Sequence, residues 1–199
     1  MKRPELEKIA HRIKNCFQCP ISEGRKKVIP GEGPSGSPYM VVAQAPNLVE
    51  MEKGRILSGP SGTVLDILLG RTGFSREDLY LTNLLKCPLP GCRRPRLYEI
   101  ENCMPFLRKE IEVIDPLVII TLGRYSTRTL LNEYGHPLPP RNSEIPFLFG
   151  HLFRKGGRII LPLPHPSCIL YRKSLMEPTA FLYGKATELM RELHEKGGR

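Results

Sequence analysis

The sequence predicts an α/β fold: a three-layer α/β/α sandwich around a central, mainly parallel, four-stranded sheet. Two observations carry this. Short apolar runs alternate along the chain with stretches whose apolar residues recur at helical spacing, the pattern of strand–helix–strand units. Within the runs the apolar residues are consecutive, as in parallel strands covered by helices on both faces. A third observation places a ligand. Gln44, Asn83 and His165 all fall at the carboxyl ends of such runs, the edge at which open parallel sheets bind their ligands.

From Pro4 to Lys14, Leu6, Ile9, Ala10 and Ile13 recur at helical spacing, so a short amphipathic helix is expected that delivers Cys16 and Cys19. Gly31 to Ser37 is rich in Gly, Pro and Ser and reads as a loop. Tyr39 to Ala43 is the first strand, ending at Gln44-Ala45-Pro46-Asn47. A loop from Gly54 to Gly62 feeds a helix through Val64, Leu65, Ile67, Leu68 and Leu69, with Ser61 as its N-cap. Asp78 to Leu85 is the second strand, and Cys87 follows it. Pro88 to Pro95 is irregular and basic, and a helix from about Leu97 carries Ile100, Cys103, Phe106, Leu107 and Ile111. Leu117 to Leu122 is the third strand and Gly123 opens the next helix. Pro137 to Pro146 is a proline-rich loop; Arg158 to Pro162 is the fourth strand, leading to His165-Pro166-Ser167. The last helix runs from about Pro178 to Glu195. No internal repeat divides the chain, and one domain spanning residues 1–199 is expected.

The chain carries a net charge of +10 with a pI near 9.5. An excess of this size points to a polyanionic partner, nucleic acid above all. No run approaches the roughly 18–20 apolar residues of a membrane span. Met1-Lys2-Arg3-Pro4-Glu5 turns directly into a charged helical pattern without a signal-peptide core, so a cytoplasmic, nucleoid-associated monomer is expected.

Six cysteines without a secretion signal argue for metal rather than disulfides. Cys16 and Cys19 form Cys-x2-Cys, and fifteen residues separate Cys87 from Cys103. Four thiolates so arranged suit either zinc or an iron–sulfur cluster. Cys92 and Cys168 stand outside the pattern, although Cys92 is close enough to Cys87 to be a rival ligand.

Taken in order, these segments resemble the iron–sulfur uracil-DNA glycosylases, family 4 of their superfamily. The match runs from Cys16 to about Arg172: Cys-x2-Cys, a strand ending in Ala43-Gln44-Ala45-Pro46-Asn47 where the family has Gly-Glu-Ala/Gly-Pro-Gly, then Thr82-Asn83-Leu84-Leu85-Lys86-Cys87. Cys103, Leu122-Gly123 and His165-Pro166-Ser167 complete it. The resemblance implies the uracil-DNA glycosylase fold, uracil-containing DNA as substrate, and one [4Fe-4S] cluster on Cys16, Cys19, Cys87 and Cys103. Three positions depart from the family. Its first-motif glutamate is Gln44, its base-stacking phenylalanine is Leu57, and an asparagine after the third cysteine is Cys92.

Base excision leaves positive charge on the sugar and negative charge on the base, so the site must aim donors at the base oxygens and hold the nucleotide outside the helix. The resemblance assigns His165 to uracil O2. It assigns Asn83 to uracil N3–H and O4, a pattern that cytosine reverses. Gln44, which cannot serve as a general base, and Asn47 would orient water, with Ala45, Pro46 and Leu57 around the base. Glu50 and Glu52 are expected on a solvated loop. Ser61 and Gly62 at a helix N-terminus and Ser167 would meet DNA. Ile169 and Leu170 would wedge into the base stack, and Arg172 and Lys173 would hold phosphates. Arg93, Arg94 and Arg96 add charge near the cluster. The departures keep two alternatives open: a lesion-binding protein of glycosylase fold with little or no activity, or a glycosylase of shifted base specificity. A zinc-binding DNA protein is the third.

Overall fold

The computed structural model describes residues 2–23, 25, 27–140 and 145–197. The four expected strands are present: β1 (Tyr39–Ala43), β2 (Tyr80–Asn83), β3 (Val118–Leu122) and, numbered last because another strand precedes it, β5 (Arg158–Leu163). β1 pairs in parallel with β2 and β3, and β3 with β5. Burial alternates in direction along each strand. Met40 and Val42 of β1 face one core while Val41 and Ala43 face the other, as the period of two requires.

Helices cover both faces. Ile9 and Ile13 of α1 (Lys2–Lys14), Met104, Leu107 and Ile111 of α4 (Leu97–Ile114) and Leu130 of α5 (Arg124–Glu133) close the first. Leu65 and Leu68 of α3 (Pro60–Gly70) with Tyr183, Ala186 and Met190 of α7 (Met176–Gly197) close the second. Each buried Leu, Ile, Val or Met contributes roughly 1.5–3 kcal/mol. Packing of these faces, more than helix propensity, therefore holds the helices in place.

The structure corrects the sequence reading at three places. A fifth strand, β4 (Phe153–Lys155), pairs antiparallel with β5 and completes the order β2-β1-β3-β5-β4. Its two charged residues hide the strand from a search for apolar runs, but Gly156 and Gly157, both at positive φ, form its hairpin turn. A short helix, α2 (Leu48–Lys53), fills the stretch after the first motif; Asn47 caps it in a reciprocal box with Glu50. The N-cap of α3 is Gly59 with Pro60 following it, so Ser61 lies inside the first turn and is buried. On the outer side of β2, Glu32 and Leu81 exchange both main-chain hydrogen bonds, at 2.9 and 2.7 Å. Part of the expected Pro137–Pro146 loop, residues 141–144, lies outside the described residues.

Candidate functional site

The parallel strands end together. Ala43 of β1 is in register with Asn83 of β2, and Leu122 of β3 with Leu163 of β5. Gln44, Asn83 and the loop bearing His165 thus lie along one edge of the sheet. β2 and β5 are separated by β1 and β3, which puts their backbones about 14 Å apart at the usual strand spacing.

Asn83 is 1% exposed, and neither its Oδ1 nor its Nδ2 has a hydrogen-bond partner. Leaving a buried polar group unpaired costs on the order of 1–3 kcal/mol. An unpartnered buried amide of this kind calls for an explanation beyond packing. Its backbone is held firmly: Leu84 N–H donates to Ala43 O at 2.8 Å and Leu85 N–H to Gln44 O at 2.9 Å. The end of β2 and the first motif therefore form one unit.

His165 follows β5 and packs beside Gly123, whose N–H donates to Leu163 O at 2.9 Å. The main-chain N–H of Ser167 donates to His165 Nδ1 at 3.2 Å, and the Ser167 hydroxyl lies 2.8 Å from the same nitrogen. A main-chain N–H can only donate, so Nδ1 carries no proton and the ring proton belongs to Nε2. Burial pushes the imidazole pKa down to about 4. At neutral pH the side chain is an uncharged donor.

Glu50 is 3% exposed, contrary to the solvated position expected of it, whereas Glu52 is exposed. Its carboxylate accepts from Asn47 Nδ2 at 3.0 Å and Asn47 N at 3.4 Å, while its own N–H donates to Asn47 Oδ1 at 2.9 Å. Burial lifts its pKa to about 7, against hydrogen bonds from the Asn47 and Leu57 main chains. Glu50 therefore ties the first motif to Leu57. Leu57 is buried in the core with a left-handed backbone, φ 49°, a conformation costly for this residue type. Its carbonyl accepts from Arg76, and a β-carbon at Gly62 would lie 1.5 Å from that oxygen. Gly62 is thus required for close approach of α3. Its N–H donates to Gly59 O at 2.8 Å, so it is not free for a phosphate.

Cys16, Cys19, Cys87 and Cys103 line one cavity between α1, the segment after it, the end of β2 and α4. Arg25 Nη1 donates to Cys87 Sγ at 3.1 Å, and Lys86 N–H faces Cys103 Sγ at 3.4 Å. Burial raises the thiol pKa of Cys19 and Cys87 and pushes that of Cys103 up to about 11. Among the described residues, no three His, Cys, Asp or Glu side chains come close enough to hold a single metal ion. Cys92 is exposed and Cys168 half-buried, and neither lines this cavity.

The model of the Uracil DNA glycosylase superfamily matches residues 30–185. The chain belongs to the uracil-DNA glycosylase superfamily. It is 39% identical over 131 residues to a type-4 uracil-DNA glycosylase of Pyrobaculum aerophilum, covering 66% of this chain and 67% of that protein. It is 34% identical to the type-4 enzyme of Saccharolobus solfataricus, over 83% of this chain and 77% of the other. The type-4 enzyme of Archaeoglobus fulgidus is 31% identical over 92% of both chains.

As a uracil-DNA glycosylase superfamily member, the chain should present a DNA-facing surface, and the structure sorts the residues expected there. Ile169 of α6 (Ser167–Tyr171) is buried in the core and cannot wedge into DNA. Leu170 is exposed, as is its neighbour Tyr171 at 88%. Arg172 and Lys173 are exposed. Ser167 directs both of its donors to His165, and Ser61 is buried. Arg93 forms a two-point pair with the buried Glu99, at 2.9 and 2.5 Å, whereas Arg94 and Arg96 are exposed. No helix of the described residues is long and apolar enough to cross a membrane.

Proposed function

We infer that this protein is a monofunctional uracil-DNA glycosylase that hydrolyses the N-glycosidic bond between uracil and deoxyribose in DNA and so opens base-excision repair. The observation that carries this reading is the buried, unpartnered amide of Asn83 at the same sheet edge as a neutral His165. The family membership and the type-4 relatives support it.

In this scheme uracil, turned out of the DNA, enters between Asn83 and His165. The Asn83 carbonyl accepts uracil N3–H and its amide donates to O4. As the bond between the sugar C1′ and base N1 breaks, the electron pair stays on N1 and spreads to O2 and O4. His165 Nε2–H donates to O2 while this charge develops, which stabilises the departing uracilate more than the bound substrate. Water adds to C1′, and the proton it loses passes through solvent to the uracilate, which leaves as neutral uracil. Gln44 and Asn47 orient that water, Glu50 fixes Asn47, and Ala45, Pro46 and Leu57 wall the base. Leu170 and Tyr171 occupy the vacated space in the stack, with Arg172 and Lys173 on phosphates. A duplex panel with uracil, hypoxanthine, xanthine and thymine mismatches, scored for abasic sites, tests the assignment. Excision of uracil above the others is expected; tight binding without any abasic product overturns it in favour of a lesion-binding protein.

The cysteine cavity fits the cluster of the type-4 family. One zinc ion would draw four sulfurs to within about 3.8 Å of each other, given Zn–S near 2.3 Å. A polynuclear cluster holds its thiolates farther apart around a larger body, and four thiols walling one cavity support that reading. Cys16, Cys19, Cys87 and Cys103 would hold a [4Fe-4S] cluster, which supplies a covalent tie between α1 and the β2–α4 region. Serine at any one of these four is expected to remove iron, sulfide and the brown absorption and to lower Tm, while Cys92→Ser keeps them. Loss of iron from Cys92→Ser with retention in Cys87→Ser would overturn the ligand set. A cytoplasmic, monomeric protein acting on DNA is the setting this reading implies.

A further inference from the structure

Beneath the end of β2 lies an ion pair that the chemistry above does not use. Lys86 and Glu110 are each 1% exposed. Lys86 Nζ donates to Glu110 Oε2 at 2.6 Å, to Thr82 Oγ1 at 2.6 Å and to the main-chain carbonyl of Asn83 at 2.9 Å. Its three protons are therefore all placed. Glu110 also accepts from the Thr82 hydroxyl at 2.6 Å and from Gly31 N–H at 3.1 Å. Burying two ions costs several kcal/mol each before their attraction is counted, and an apolar pair often serves stability as well. Lys86 cannot reach DNA phosphates from this position, so what the pair holds matters more than what it contributes to stability.

It holds one peptide group. The carbonyl of Asn83 takes Lys86 Nζ, and the N–H of the same peptide, on Leu84, donates to Ala43 O. Pinned at both ends, this plane fixes ψ of Asn83 and hence the direction of its Cα–Cβ bond, from which the amide is presented. The Asn83 amide has no partner of its own, so nothing at the side-chain end aims it before a base arrives. Selection of uracil over cytosine depends on that aim, because the two bases exchange donor and acceptor at these positions.

We propose that Lys86, held by Glu110, is a positioning residue that sets the aim of Asn83 and so the pyrimidine preference of the enzyme. This rests on the reading of Asn83 as the base reader. Neither residue touches the substrate, and both act through the Asn83–Leu84 peptide.

The test is a double-mutant cycle. Lys86→Met alone strands a buried carboxylate, so it is paired with Glu110→Gln, which removes both charges at similar volume. Thr82→Val, which deletes one partner and leaves the charges paired, gives a milder form. Single-turnover uracil excision, inhibition by free uracil and Tm are measured with asparagine or alanine at position 83. With Asn83 present, Lys86→Met/Glu110→Gln is expected to slow excision about 10- to 100-fold and to weaken free-uracil inhibition comparably. In the Asn83→Ala background the same pair should change excision less than about twofold, because the residue it aims is gone. Equal slowing in both backgrounds marks a general structural role and overturns the proposal, as does no slowing with Asn83 present. If Asn83→Ala by itself cuts uracil at the parental rate, the base-reading assignment fails instead, and that outcome is visible before the pair is touched.

Discussion

His165→Ala is expected to slow single-turnover uracil excision by about 10²–10³-fold, the usual cost of deleting one preorganised donor to a developing oxyanion. The expectation rests on the ring's state. Ser167 N–H occupies Nδ1, so Nε2 holds the proton, and burial lowers the pKa to about 4. The donor is therefore neutral before the reaction, needs no protonation and keeps its strength across neutral pH. Excision through this ring should be level from about pH 5 to pH 8 and should not fall near the ordinary histidine value of 6.5. The same shift bears on stability. The folded pKa lies below the unfolded one, so the neutral ring's contribution is present above pH 6.5 and is lost as pH falls towards 4. A pH–rate profile of the parent, set beside the rate of the variant, checks both. Parental excision by His165→Ala would remove His165 from the mechanism; a step near pH 7 that persists in that variant belongs to Glu50, whose carboxyl is lifted to about 7.

The second large effect belongs to Asn83. Its amide is closed off from water and from every other polar group. Asn83→Asp places a carboxyl there with no cation to compensate it, since the nearby Lys86 ammonium already has three acceptors. An ionised aspartate would face uracil O4 as that oxygen gains charge, and a protonated one would present the wrong donor pattern. Uracil excision is expected to fall by about 10²–10³-fold. A carboxyl accepts from an exocyclic amine, as the asparagine N–H side does not, so the preference for uracil over cytosine should narrow as well. Single-turnover rates on uracil and cytosine duplexes measure both. An unchanged preference would mean that Asn83 does not read the base.

Much of this arrangement was legible in the sequence, and what was not has identifiable physical causes. The four parallel strands could be read because burial on both faces makes them continuously apolar. β4 could not, because an edge strand bearing Arg154 and Lys155 has no apolar signature, although the adjacent Gly156-Gly157 was a usable turn signal. Asn83 and His165 were singled out by strand ends and motif order, but the lack of a partner for the first and the tautomer of the second exist only in three dimensions. Glu50 was misplaced because an isolated glutamate is ordinarily exposed. The asparagine three residues before it, the mark of a capping box, could have corrected that. Ile169 and Leu170 are equally apolar neighbours, and only the packing of α6 shows that the first belongs to the core. The Lys86–Glu110 pair joins a strand end to a distant helix, and neither residue type announces burial.

The two rims of the sheet have a consequence for the protein's behaviour in a crowded cell. A row of unpaired main-chain groups on an outer strand is a template on which a second molecule can add a strand. At one rim that row is already taken by the exchange between Glu32 and Leu81. At the other it is three residues long and carries Arg154 and Lys155, whose charge repels an identical partner. Among the described residues, the folded molecule therefore offers no seed for edge-to-edge growth, and self-association through the sheet has to wait for the fold to open.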